Sequence, residues 1–461
     1  MAEDQIVDSA PEEGDYELDR DMIRPVLAAL DDGDAERLTE LLEPLHAADI
    51  ADLLEQVDDD TRVDLVRLYG REFDGEILTE LDEGIREEVI AALHPEVLSD
   101  AVRELDTDDV VDLIEDMEED QQAAILDVLE DVDRVAVEQS LTYPEETAGR
   151  LMQREMVVAP EHWNVGEAID YMRAQDGLPD QFYHVILIDP RLRPTGYVTL
   201  GRIMSSPRSV KLAQITEDSF RTIPVLQDEG DVAYAFNQYH LISAPVVDAD
   251  DRLVGVITID DAMAILDEEH EEDILRLAGV GEESAISDRV IETTRRRVPW
   301  LAVNLVTAIL ASLVIAQFEN VIAGMVALAV LMPIVASMGG NAGTQTLTVA
   351  VRALATKDLT SANVWRVVRR EVMVGLVNGL VFAVVMGLVG WVWFSAPMLG
   401  VVIALAMVVN LVVAGLAGVA VPVLLDKLGI DPALASGAFV TTVTDVVGFF
   451  AFLGLAAAVL I

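Results

Sequence analysis

A single aspartate, Asp445, interrupts an apolar run near the end of the chain, in Thr441-Thr-Val-Thr-Asp-Val-Val-Gly448. A charge at the centre of a membrane helix costs roughly 2.5–3.5 kcal/mol on insertion scales, so a carboxylate there must meet a partner, a proton or water. Three chemistries fit: a protonated acid hydrogen-bonded between helices, a proton relay, or a ligand in a cation path. The cation ligand has the most support, because Thr441, Thr442 and Thr444 add oxygen atoms that can meet a hydrated ion. With a two-fold axis through such a path, two copies of Asp445 would raise each other's proton affinity, and a divalent ion between them would keep both ionised.

A second polar segment lies in another apolar run. After Pro333 comes Met338-Gly-Gly-Asn-Ala-Gly-Thr-Gln-Thr346. The proline and three glycines are expected to loosen a helix and free backbone carbonyls, which membranes tolerate only beside protein or a wet cavity. Close helix packing through small residues is the competing reading. Asn341, Thr344 and Gln345 favour a polar lining, since lipid would exclude them. A third concentration is acidic: Asp260, Asp261, Asp267, Glu268, Glu269, Glu271, Glu272 and Asp273. On a helix Glu268 and Glu272 share a face, as do Glu269 and Asp273, and such pairs repel unless solvent or cations screen them.

These residues need elements to hold them. Uncharged stretches over Val298–Phe318, Val321–Val351, Val372–Phe394 and Met398–Leu425, with Pro432–Ile461 around Asp445, make five spans of about 20 residues or more, enough for a hydrocarbon core of about 30 Å. Arg295, Arg296 and Arg297 precede the first span, and Arg352, Lys357, Arg366, Arg369 and Arg370 lie between the second and third. The positive-inside rule therefore predicts a cytoplasmic N-terminus and an external C-terminus. Before the spans, residues 151–266 repeat at an offset of 59: strand-like His184–Ile188 and Ala244–Val247, then Gly196–Thr199 and Gly255–Thr258, each pair preceded by a helical stretch. This tandem α/β repeat resembles a CBS pair. Residues 22–140 read as helical hairpins, with Asp49-Ile-Ala-Asp-Leu-Leu-Glu55 echoed by Asp109-Val-Val-Asp-Leu-Ile-Glu115.

The expected architecture is multidomain. An acidic, disordered tail (1–21) precedes an all-α helical-repeat domain (22–140), an α/β CBS pair (141–270), a connector helix (271–297) and a five-helix transmembrane domain (298–461). Charge divides along the same line. Of 461 residues, 30 are Lys or Arg and 82 are Asp or Glu, and 21 and 76 of these fall before Arg295. So acidic a surface excludes nucleic-acid binding, which needs basic groups to displace counterions. It leaves a divalent-cation surface, adaptation to a salty cytoplasm, or plain solvated helix faces. Cysteine is absent, which removes disulfides and thiolate metal sites. The first residues have neither the basic start nor the apolar core of a signal peptide. No GxxxxGK[ST] loop of a phosphate-driven pump is present.

Together these residues resemble the MgtE family of magnesium channels, most specifically in Gly339–Gln345, Arg352–Asp358, Leu428–Leu434 and Thr444–Gly448. The resemblance implies a homodimer in the inner membrane with a pore on its axis, where Asp445 holds a hydrated magnesium ion. It also implies that cytosolic Mg2+ bridges acidic domains and keeps the pore shut. The family's regulatory acids match Glu76, Asp108 and Asp112 in the helical domain and Asp261, Glu269, Glu272 and Asp273 at the CBS end. His240 and Ala264 stand where the family pattern has acids, and neutral imidazole is a poor magnesium ligand, which weakens one CBS-level site. ATP as a regulator between the repeats is implied at Thr258 and Asp261. The expected function is magnesium-selective influx without enzymatic activity. The alternatives are an ion-coupled transporter of Mg, Co or Mn and, behind it, a nucleotide-sensing membrane receptor.

Overall fold

The computed structural model describes residues 20–460 apart from 116, 118, 176, 180, 218, 219 and 281–289. The expected acidic tail therefore lies almost wholly outside the described residues. The chain divides into two compact units, with the boundary after Asp267.

The first unit opens with ten described helices, α1 (Arg20–Asp32) through α10 (Asp131–Ser140). Their amphipathic spacing turns Leu38, Leu42, Leu53, Leu54, Ile77 and Ile114 into a continuous core. The repeated phrase has a structural meaning. In α3 (Ala47–Gln56) it buries Ile50, Leu53 and Leu54, and in α8 (Thr107–Glu115) it buries Val110, Leu113 and Ile114 at matching positions.

The α/β repeat follows. Strands β1 (Val157–Pro160), β2 (His184–Ile188) and β3 (Pro194–Thr199) form one three-stranded sheet, and β4 (Ile223–Pro224), β5 (Ser243–Val247) and β6 (Leu253–Thr258) form another. In each the first pair is parallel and the second antiparallel, with a register shift at Leu187/Ile188 and again at Val246/Val247. The β2–β3 and β5–β6 turns also agree. Asp189 accepts backbone N–H bonds from Arg191 and Arg193, Asp248 does so from Asp250 and Arg252, and Leu192 and Asp251 take the same left-handed conformation. The unit thus has a helical domain followed by a CBS pair with small sheets.

Helix α14 (Ile259–Ala278) closes the repeat, and its first turn is capped by Thr258 and Asp261. The connector expected over 271–297 falls on the end of α14, on undescribed residues 281–289, and on the start of α15 (Val290–Ala316).

In the second unit five helices are long and apolar enough to cross a membrane. They are α15, α17 (Ala327–Ala355), α18 (Val364–Phe394), α19 (Pro397–Lys427) and α20 (Pro432–Val459); a short α16 (Glu319–Gly324) precedes α17. The second span, expected from Val321, therefore starts at Ala327. The third begins before Val372 and takes in Arg366, Arg369, Arg370 and Glu371. α19 is the central helix, with 56% of its most apolar window buried against 6% for α15. It packs on α18 at backbone contact distance: a Cβ on Gly375 would lie 2.4 Å from the Leu411 carbonyl oxygen. Small residues bring helices this close where no hydrophobic drive between them exists.

Candidate permeation path and acidic sensor

Asp445 sits midway along α20, half-buried. Among the described residues no side chain or backbone N–H donates to its carboxylate. The threonines around it spend their hydroxyl protons within the helix: Thr441 on Gly437, Thr442 on Ala438 and Thr444 on Thr441. They can therefore offer only lone pairs outward. Thr444 is wholly buried, so of the three only Thr441 and Thr442 remain beside Asp445 as accessible oxygens.

α17 supplies the facing polar surface. It stays helical through the glycine segment, so the expected loosening does not occur. Instead the glycines admit neighbours. A Cβ on Gly343 would lie 2.6 Å from Val440 of α20, and one on Gly339 would lie 2.2 Å from the Asn410 amide of α19. The other face carries Asn341, Thr344, Gln345 and Thr348, all exposed on the single chain. Their spacing of three and four aligns them as one stripe. A Cβ added at Gly340 would meet Thr441 at 3.8 Å, and one at Gly343 would meet Val440 and Thr444, so the stripe runs past α20 at the level of Asp445. An amide-rich stripe facing hydrocarbon is untenable; it needs water or a second protein surface.

At the membrane end of α20, Asp431 accepts the Ala433 N–H at 2.7 Å and so caps the helix. Asp431 also pairs with Arg276 at 2.9 Å, and Arg276 pairs in turn with Glu272 at 2.8 Å. Leu277 packs with Leu347, Val351, Ala433 and Val440. The last turn of α14 is thus fastened to the start of the helix that carries Asp445. Asp273 lies in the same group, its carboxyl raised above the ordinary range by burial and by the charge of Asp431.

In the first unit α8 is moored to the CBS pair. Thr107 donates through its hydroxyl to Glu155 at 2.6 Å, Gln153 donates to Asp106 at 3.1 Å, and Arg150 pairs with Glu115 at 3.2 Å. This mooring brings acids together. Burial and then the charge of Asp261 raise both Asp108 and Asp109, Asp109 to about 7. Burial raises Asp261 to about 6, against the hydrogen bond from Thr258. No three carboxylates or imidazoles among the described residues form a ready-made metal cage. The donor set nonetheless fits a hard divalent cation: carboxylates deprived of water and repelling one another gain most from such a charge.

Sequence comparison places these sites in context. A family model described as "Divalent cation transporter" matches residues 332–455, the "MgtE intracellular N domain" matches 45–146, and the CBS domain matches 148–208 and 212–268. The magnesium transporter MgtE of Thermus thermophilus is 31% identical over 93% of this chain and 96% of its own length. That of Enterococcus faecalis is 34% identical over 69% of this chain and 70% of its own length. The chain belongs to the MgtE family. A crystal structure of the cytosolic domain of the Mg2+ channel MgtE in complex with ATP aligns over 53% of this chain and 99% of that one, at 26% identity and a TM-score of 0.49.

Set against this MgtE chain, the residues singled out from sequence scatter unevenly. Asp108 and Asp261 come together. Asp112 is instead ion-paired with Arg86 at 2.8 Å, while Glu76 and Glu269 are exposed and Glu272 is held by Arg276. His240 caps α13 (Glu229–Tyr239) in a left-handed conformation. Thr258 lines a cleft with Gln153, Glu155, Tyr183, His184 and Ser243, whose volume of about 20 Å³ has room for a single water. His184 and Ser243, the first residues of the equivalent strands β2 and β5, are hydrogen-bonded across it. Sequence reasoning passed over Asp109, Arg276, Asn410 and Glu371, and gave Asp431 no role. Asp431-Pro432 was readable as a cap followed by proline at the first helical position. Glu371, directly after Arg369 and Arg370 in sequence, accepts from the Thr346 hydroxyl at 3.4 Å.

Proposed function

We propose that this MgtE chain is a magnesium-selective channel that admits Mg2+ down the membrane potential across the inner membrane. In this reading the N-terminus is cytoplasmic, the C-terminus is external, and two copies share one pore. The observation that carries it is Asp445: a half-buried carboxylate in a spanning helix, served by no donor among the described residues and level with the exposed Asn341–Thr348 stripe. Two copies turning these surfaces toward a common axis remove the stripe from lipid and set paired carboxylates around a passage. Mg2+ gives up water reluctantly, so polar oxygens that hold a hydrated ion suit it better than a dehydrating cage.

Gating is assigned to the acidic sensor. Cytosolic Mg2+ bound by Asp108 and Asp261, with Asp109 beside them, relieves their repulsion and stabilises the docked α8. Glu76, Asp112, Glu269, Glu272 and Asp273 are carried as further regulatory ligands, with the ion pairs on Asp112 and Glu272 as competitors that the metal must displace. ATP is assigned to the Thr258 cleft, which must widen to admit it.

The decisive experiment is Mg2+ flux into proteoliposomes carrying wild type or Asp445→Ala. Loss of a carboxylate that holds the ion should cut flux by about tenfold or more, the factor that each 1.4 kcal/mol of lost stabilisation contributes. Undiminished flux would refute the pore assignment. Flux that follows an imposed proton gradient would favour coupled transport over a channel.

A further inference from the structure

Two segments that carry the permeation path, the Gly339 turn of α17 and the Gly448 turn of α20, meet on one residue that belongs to neither. Asn410 lies mid-way along α19 and is 1% exposed. Its Nδ2 donates to the Val335 carbonyl of α17 at 2.7 Å. A Cβ added at Gly339 would come within 2.2 Å of that nitrogen, and one at Gly448 within 2.7 Å. The amide is thus wedged between both helices, and both glycines are glycine because of it. Its orientation is fixed, since turning it over would set its oxygen against the Val335 oxygen. Among the described residues nothing donates to the buried Oδ1. A leucine or alanine would serve mere packing at such a position without leaving a buried acceptor unsatisfied. The polar amide therefore has a use that packing does not explain.

That use follows from helix geometry. Gly448 is about one turn beyond Asp445, and Gly339 is within one turn of Asn341. A tether at both turns sets the rotation of each helix about its own axis. The rotation of α17 decides where Asn341, Thr344, Gln345 and Thr348 point; that of α20 decides where Asp445 points. We infer that Asn410 is a positioning residue of the permeation path, tying α17 to α20 so that the polar stripe and Asp445 turn to the same side. The inference rests on the pore reading above and adds to it a residue that never touches the ion.

The chain contains no cysteine, so a single introduced thiol reports its own surroundings. Thr344→Cys and Thr348→Cys are each placed in the otherwise native full-length chain and in an Asn410→Ala chain, and their reaction with a charged, water-soluble thiol reagent is timed in membranes. Asn410→Ala should slow both reactions several-fold and raise the half-saturating Mg2+ concentration for flux. The double substitution Asn410→Ala/Gly448→Ala refills the vacated space without an amide. It should recover thermal stability but neither the thiol reactivity nor the half-saturation. Wild-type reactivity in the Asn410→Ala chain would overturn the inference, and so would a double variant that recovers thiol reactivity and half-saturation. Asp445→Ala run alongside separates the two readings. If it conducts normally the pore assignment fails, whereas if it blocks flux while the Asn410 variants match wild type, only the role of Asn410 is lost.

Discussion

At Gly339 one hydrogen atom decides whether two helices can meet. A methyl group there would overlap the Asn410 amide within a spanning core that has no slack, and overpacking of this kind costs about 1–3 kcal/mol. Gly339→Ala should therefore lower the thermal midpoint of the detergent-solubilised protein, while Gly340→Ala, whose added carbon meets only Thr441 at 3.8 Å, should leave it nearly unchanged. Equal melting of the two variants would contradict the packing described here. Residues differ in how openly their sequence announces them. Asp445, Asn341, Thr344 and Gln345 were legible because a charge or an amide in an apolar run is costly enough to demand a reason. Asn410 was just as anomalous in composition, a lone amide in the most apolar helix of the chain. Its meaning, however, depends on two glycines in other helices, and no local spacing reveals that.

At the scale of elements, α14 is the piece that matters most. It begins at Thr258 and Asp261, one end of the acidic sensor, and ends at Arg276 and Leu277, fastened to the cap of α20. Its last turn, within the second unit, therefore holds the start of the helix that carries Asp445. Arg276→Gln removes the ion pairs to Glu272 and Asp431 while keeping most of the side chain's bulk. The expected result is a channel that conducts normally at low cytosolic Mg2+ but needs several-fold more Mg2+ to close, measured as inhibition of flux by internal Mg2+ in patches or vesicles. An unaltered inhibition curve would show that closure does not pass through this joint. The strand repeats were legible from the constant offset of 59, because each sheet reuses the same turn and the same register shift. The α14–α20 joint was not. Its partners are far apart in sequence, and the acids around Arg276 read as one solvated run until folding put Asp431 beside them.

For the whole molecule, the charge imbalance of the cytosolic part becomes a stability that depends on pH and metal. Asp108, Asp109 and Asp261 are all raised in the folded chain, so the docked α8 holds protons that a separated α8 would already have released. By linkage the contribution of Asp109 and Asp261 is fully present below the ordinary carboxylate range and is lost as the pH rises through about 6 to 7, and Asp108, also raised, acts in the same direction. Without Mg2+ the cytosolic part of the full-length protein should resist protease longer at about pH 5.5 than at about pH 8, with Mg2+ restoring resistance chiefly at the higher pH. Resistance that rises with pH in the metal-free protein would mean that these acids are not buried against one another. The exposed stripe on α17 has one more consequence, for heredity rather than for transport. In the proposed two-copy pore, a passage is only as good as its worse half, so a cell making sound and faulty subunits together would assemble mostly spoiled pores, and a single bad allele would act as a dominant one.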